Sequence, residues 1–130
     1  MPREKYYRTV FFVGAIWNWL ITISFAMGYK ILFPVFGMSQ PVYPVFFLLF
    51  LGICFVFGIG YYWVSKDIFK NHDIIRLGII AKLYVFGMAV WAVWTGQTHF
   101  IFLGAGVVDL FFAALYVEFL LFYQKAIKKA

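Results

Sequence analysis

The sequence contains little charge. Of its 130 residues, 12% are Asp, Glu, Lys or Arg and only five are acidic, whereas 65% are hydrophobic. A soluble domain of this size requires a polar shell that this composition cannot supply. Together with the mean hydropathy of +0.91, the shortage of charge indicates an integral membrane protein. Because about 20 apolar residues make one membrane span, a chain of this length allows about four.

The residues and motifs of several other protein classes are also missing. A single cysteine, Cys54, excludes a disulfide within the chain, and no cluster of Cys and His suits a structural metal. The sequence has no HExxH, Walker or GxSxG motif. We therefore expect no cofactor and no metal, and the sequence gives little support for an enzyme.

Four hydrophobic segments are present, and they predict an all-α fold, a polytopic membrane bundle of four helices. The predicted helices cover about 10–27, 45–64, 77–94 and 100–123, in one transmembrane domain over 1–130. Prolines and glycines between residues 28 and 44 predict that the first helix is followed by an interfacial loop.

The charges in the connections predict an orientation. When four spans are drawn, only Lys30 falls on one side of the membrane. The other side holds nine basic residues: Arg3, Lys5, Arg8, Lys66, Lys70, Arg76, Lys125, Lys128 and Lys129. The positive-inside rule then places both termini in the cytoplasm, and we expect a bacterial inner membrane. The same rule explains the net charge of +6 without a nucleic-acid partner.

The last predicted helix contains two acids, Asp109 and Glu118. Counted from Arg76, Lys82 lies about 9 Å below the cytoplasmic end of its helix, and Glu118 lies about 8 Å below Tyr123. We therefore predict a Lys82–Glu118 ion pair. The alternative is that both side chains reach the cytoplasmic surface separately, since these depths allow it.

Asp109 lies deeper, about 21 Å from the cytoplasmic end, and roughly on the opposite helix face from Glu118. Its own face also contains small residues and Tyr116, which favours a position inside the bundle. Asn18 on the first helix lies at a matching depth, between the indole N–H donors of Trp17 and Trp19.

We therefore predict an intramembrane polar site of Asp109, Asn18, Trp17, Trp19 and Tyr116. With neutral donors only, desolvation is expected to keep the acid protonated. Two interpretations stay open. Asp109 is a functional group that binds a proton, a cation or the polar part of a ligand, or it is a structural hydrogen bond between the fourth and first helices.

A series of residues along the chain supports a family resemblance. It consists of Gly52, the segment FGIGYY at 57–62, Asp67, Gly78, Lys82 and Asp109. This order resembles small uncharacterised bacterial membrane proteins of the broad DoxX-like group. The resemblance implies a four-helix bundle, and some members of that group accompany membrane oxidoreductases or quinone-linked systems. It assigns no active-site residue.

Three functions are compatible with these features. The aromatic content of 25% and the absence of a catalytic constellation favour a non-catalytic membrane protein. It would be an accessory subunit of a larger membrane complex, a homo-oligomer, or a binder of a lipophilic ligand of lipid or quinone type. The first alternative is a small proton-coupled transporter that uses Asp109. The second is an enzyme acting on a lipid-soluble substrate with Asp109 or Glu118 as acid or base, which no nucleophile or metal accompanies.

Overall fold

The protein is an all-α bundle of four helices. The computed structural model describes the backbone of residues 2–129 and the side chains of 3–123 and Lys125. The helices are α1 (Pro2–Val35), α2 (Pro44–Lys66), α3 (His72–Trp94) and α4 (Leu103–Lys129), and a 3₁₀ turn at Phe100–Phe102 leads into α4. Each of the four is long and apolar enough to cross a membrane. The predicted fold class is confirmed, and the chain is an integral membrane protein.

Helix α1 is longer than predicted. It continues through Gly28 and has Pro34 in its last turn, so the loop predicted from residue 28 begins only after Val35. A helical glycine costs only about 1 kcal/mol, and the buried ring of Phe33 packs against neighbouring aromatic rings. Pro34 has no N–H to donate to the carbonyl of Lys30. The side chain of Gln40 donates to that carbonyl instead, at 3.0 Å.

The helices also extend beyond the predicted spans at one end of the bundle. We call it the terminal end, and there Tyr7 of α1 donates a hydrogen bond to Glu118 of α4. There the Arg3 guanidinium lies 5.1 Å from the ring centroid of Phe122. At the opposite, far end, the N–H of His99 donates to the carbonyl of Phe36 at 2.7 Å. The two connections of the far end are thus tied to each other.

The helices pack most closely as two antiparallel hairpins, α1 with α2 and α3 with α4. Each helix has one glycine against which an aromatic side chain of the helix before it lies, and for α1 that helix is α4. The four pairs are Gly58 with Trp19, Gly78 with Tyr61, Gly106 with Phe86, and Gly14 with Tyr116. Small residues let membrane helices approach closely where lipid supplies no hydrophobic drive for association. These glycines therefore fix how each aromatic ring packs.

Two layers of aromatic side chains fill the bundle. The terminal layer is buried and consists of Tyr7, Phe11, Tyr61, Phe112, Tyr116 and Phe119. The far layer consists of Phe25, Phe33, Phe36 and Phe102: the ring of Phe25 contacts those of Phe33 and Phe36, and the ring of Phe36 also contacts that of Phe102. The space between the two layers is where the polar residues of the bundle meet.

The Gly78–Tyr61 contact gives a stability test with a control on the same helix. A methyl group at position 78 would lie 2.5 Å from the Tyr61 hydroxyl, so Gly78→Ala is expected to cost on the order of 1–3 kcal/mol by overpacking. Gly87→Ala meets no atom within 4 Å and should be neutral or stabilise by up to about 1 kcal/mol. The measurement is unfolding by denaturing detergent in mixed micelles. Equal stability of the two variants would contradict the packing described.

Candidate functional site

A buried ion pair links α3 to α4. Lys82 Nζ donates to Asp109 Oδ1 at 2.7 Å, and the two side chains are 4% and 18% exposed. The predicted Lys82–Glu118 pair is therefore wrong. The deep acid, not the shallow one, is the partner of the intramembrane lysine.

The register of the two helices explains the error. The rings of His72 and Tyr123 lie 4.2 Å apart, so these two residues are level. Lys82 is then about 15 Å along its helix and Glu118 only about 8 Å along α4. Asp109 is about 21 Å along, so its carboxylate lies within reach of a flexible lysine side chain. The prediction measured depth from residue 76, whereas α3 begins at 72.

Glu118 has a different role. It is exposed, and its Oε1 accepts a hydrogen bond of 2.7 Å from the hydroxyl of Tyr7, which is fully buried. The carboxylate thus satisfies a hydroxyl at the edge of the terminal layer. Lys82 does not extend to the surface, so separate snorkelling of both side chains, the alternative to a Lys82–Glu118 pair, is wrong for the lysine.

Two further predicted residues join the pair. Asn18 Oδ1 accepts from Lys82 Nζ at 3.2 Å, while its Nδ2 donates to the backbone carbonyl of Cys54 at 2.9 Å. Trp17 Nε1 donates to Asp109 Oδ1 at 3.3 Å. The structure therefore brings Asp109, Asn18 and Trp17 together as predicted. The expectation that Asp109 has only neutral donors is wrong, because Lys82 belongs to the same cluster.

Trp19 and Tyr116 lie elsewhere. Trp19 Nε1 donates to the carbonyl of Phe55 at 3.3 Å and ties α1 to α2. The hydroxyl of Tyr116 is buried and, within the described residues, has no hydrogen-bond partner. Its ring stacks on Phe11 with centroids 4.7 Å apart. Assigning these two side chains to the polar site was wrong, since neither hydrogen-bonds Asp109 and both serve helix packing.

Aromatic faces surround the lysine. Its Nζ lies 5.3 Å from the ring centroid of Tyr61 and 5.5 Å from that of Phe112. Cation–π attraction at these distances stabilises an ammonium that is out of contact with water. Sequence reasoning did not assign these two rings to the site. The position of Tyr61 after two closely spaced glycines was the available signal, but only the packing identifies its partner.

The cluster forms one wall of a cavity of about 140 Å³ between the two aromatic layers. All four helices contribute to its lining, which is mainly apolar. The polar groups in the lining come from Asn18, Thr22, Cys54, Lys82 and Asp109, together with the indole N–H of Trp17 and the hydroxyl of Tyr61. In the part of the chain that the structure describes, no group of three His, Cys, Asp or Glu residues could hold a metal ion. The site is thus a mainly apolar cavity with hydrogen-bonding groups on one side.

One oxygen of the Asp109 carboxylate accepts no hydrogen bond from the described residues. Lys82 and Trp17 both donate to Oδ1 of Asp109, and none of the described residues donates to Oδ2. Asp109 is one of the residues that line the cavity, and its second oxygen has acceptor capacity that the described residues do not use. Comparison of the chain with known protein families, with curated proteins and with solved structures finds no match. The chemistry of the site therefore has to be inferred from its geometry.

The pairing of Lys82 can be tested by comparing two acids. Asp109→Asn leaves the buried ammonium without its anionic partner and is expected to lower the free energy of unfolding by on the order of 3 kcal/mol. Glu118→Gln changes an exposed carboxylate and should cost less. Both variants are measured by detergent-induced unfolding.

A double variant separates loss of the pair from loss of packing. Lys82→Met combined with Asp109→Leu removes both charges together, and it is expected to be more stable than either single variant because no unpaired charge remains. Additive costs of the two substitutions would show that the side chains do not interact, and would overturn the assignment.

Proposed function

We propose that the protein is a non-catalytic binder of a lipophilic small molecule of lipid or quinone type, and that the molecule's polar group docks at the Lys82–Asp109 pair. The observation that carries this proposal is the cavity itself, because its apolar lining includes the ion pair on one side. Ligand sites typically combine such apolar walls with a few placed polar groups.

The size of the cavity suits the head of a ligand rather than a whole lipid. A volume of about 140 Å³ compares with an engineered cavity of about 150 Å³ that binds benzene. A single six-membered ring or a glycerol-sized group fits this space. A longer apolar tail would have to leave the bundle.

We propose that such a tail leaves the bundle between α2 and α3. These helices meet near the terminal end, where Ile74 lies against Gly60 and Tyr61 against Gly78. Farther from the termini, α2 and α3 line the cavity instead, and the ring of Phe50 there is 46% exposed.

The charges favour a neutral head group. Lys82 and Asp109 compensate each other, so an additional buried charge in the cavity would have no partner and would be costly. Paired with the Lys82 ammonium, the Asp109 carboxylate only accepts hydrogen bonds and cannot donate them. A hydroxyl group that donates to this carboxylate is therefore the best match.

A cavity-filling variant tests this proposal without touching the ion pair. Ala105 lines the cavity, and Ala105→Leu is expected to weaken binding of a short-chain alkyl benzoquinol, or of a medium-chain monoacylglycerol, by at least about tenfold. Binding is followed by quenching or shift of tryptophan fluorescence, with Trp17→Phe identifying the signal from the cavity.

Ala114→Leu is the matched control, because Ala114 lies on the same helix and is exposed. It should bind both probes like the unaltered protein. If neither probe binds the unaltered protein, or if the two leucine variants bind equally well, the proposed ligand site is wrong.

Proton-coupled transport is the second candidate, and the border between the Asp109 carboxylate and the cavity favours it. Ionisable residues within membrane spans often mark ion pathways or proton relays. In vesicles loaded with a pH-sensitive dye, transport predicts that adding either probe drives proton movement, and that Asp109→Asn abolishes it. A pure binder would move no protons in either case.

For the placement in the cell, we propose a bacterial inner membrane with the terminal end in the cytoplasm, as the basic residues of that end suggest. The outer faces of the helices are rich in exposed apolar side chains. They suit lipid, and the proposed accessory role would use part of them to contact a larger membrane complex or a second copy. The DoxX-like resemblance stays a prediction.

A further inference from the structure

A second pocket, separate from the central cavity, lies at the terminal end between the start of α1 and the end of α2. Its volume is about 300 Å³. The lining consists of Lys5, Arg8, Thr9, Phe12, Ser65 and Lys66. Three of these six residues are basic and none is acidic.

The charges of the pocket are only partly compensated. Arg8 pairs with Glu4 at 2.9 Å, while the nearby Asp67 pairs with Lys70 at 3.5 Å. Lys5 and Lys66 form no ion pair with any described residue. The ammonium of Lys66 lies 5.0 Å from the ring centroid of Tyr62, which keeps this cation beside the bundle. The pocket therefore has a net positive charge.

The pocket lies near the ends of two helices long enough to span a membrane, where the boundary between head groups and acyl chains is expected. Its basic residues lie at the ends of two membrane-spanning helices. One turn further into the span, Phe12 presents a ring that is 45% exposed. A molecule that is anionic at one end and apolar below it fits this arrangement. Basic pockets between transmembrane helices bind lipid head groups in this way.

We propose that this pocket binds the head group of an anionic phospholipid, with its phosphate between Lys5, Arg8 and Lys66 and an acyl chain along Phe12. A lipid is favoured over free phosphate, because a phosphate ion alone would make no use of the apolar side of the pocket at Phe12. It is independent of the ligand proposed for the central cavity.

The test is native mass spectrometry of the full chain, titrated in detergent with phosphatidylglycerol or phosphatidylcholine that carry the same acyl chains. We expect the anionic lipid to bind the unaltered protein about tenfold more tightly. The double variant Lys5→Gln/Lys66→Gln should bind both lipids equally. Inorganic phosphate forms a third arm and should not displace the lipid.

The control is Arg76→Gln/Lys125→Gln, which removes two positive charges from the same end of the bundle but outside the pocket. It should keep the preference for the anionic lipid. An equal loss in both double variants would show a general surface-charge effect and overturn the site. No preference in the unaltered protein, or displacement by phosphate, would also overturn it. Melting of each variant in detergent confirms that it is folded.

Discussion

The buried contact between Lys82 and Asp109 is the constraint on which the centre of the bundle depends. Two ions are costly in a membrane interior, where each loses the solvation of water. Here the cost is offset locally, because Asn18 and Trp17 add hydrogen bonds to the pair and the rings of Tyr61 and Phe112 lie beside the ammonium. Residues of the three other helices therefore take part in solvating one lysine of α3, and the cluster specifies how the two hairpins face each other.

The glycine–aromatic pairs help to position the side chains around Lys82. Gly78 lets Tyr61 lie close to α3, and the same ring then covers the ammonium of Lys82. Gly58 in the same way accommodates Trp19, whose neighbour Asn18 reaches both the lysine and α2. The packing of the helices and the polar cluster thus share side chains. A substitution at Gly78 that displaces Tyr61 would therefore also disturb the contact of this ring with Lys82.

Hydrophobic segment lengths predict the four helices well, since the bilayer imposes both length and apolarity on each span. The site is only half predictable. Depth and face arithmetic, done on each helix separately, places Asp109 and Asn18 at a similar depth, and in the structure both accept a hydrogen bond from Lys82. The partner of Lys82 depends on the register between two helices, which the contact of His72 with Tyr123 sets and which no single helix encodes. An error of four residues in the start of α3 was enough to choose Glu118 over Asp109.

The cavity beside this cluster bears on the role of the Lys82–Asp109 pair. If the ion pair were only a tie between α3 and α4, the best packing would surround it with side chains, because an apolar void forfeits dispersion contacts. Instead, small residues such as Ala81, Ala89 and Ala105 line the space, and the second oxygen of Asp109 accepts no hydrogen bond from the described residues. A neutral molecule that donates a hydrogen bond there would supply both the missing contacts and the missing donor. The ligand proposed above would thus occupy this space and use this acceptor.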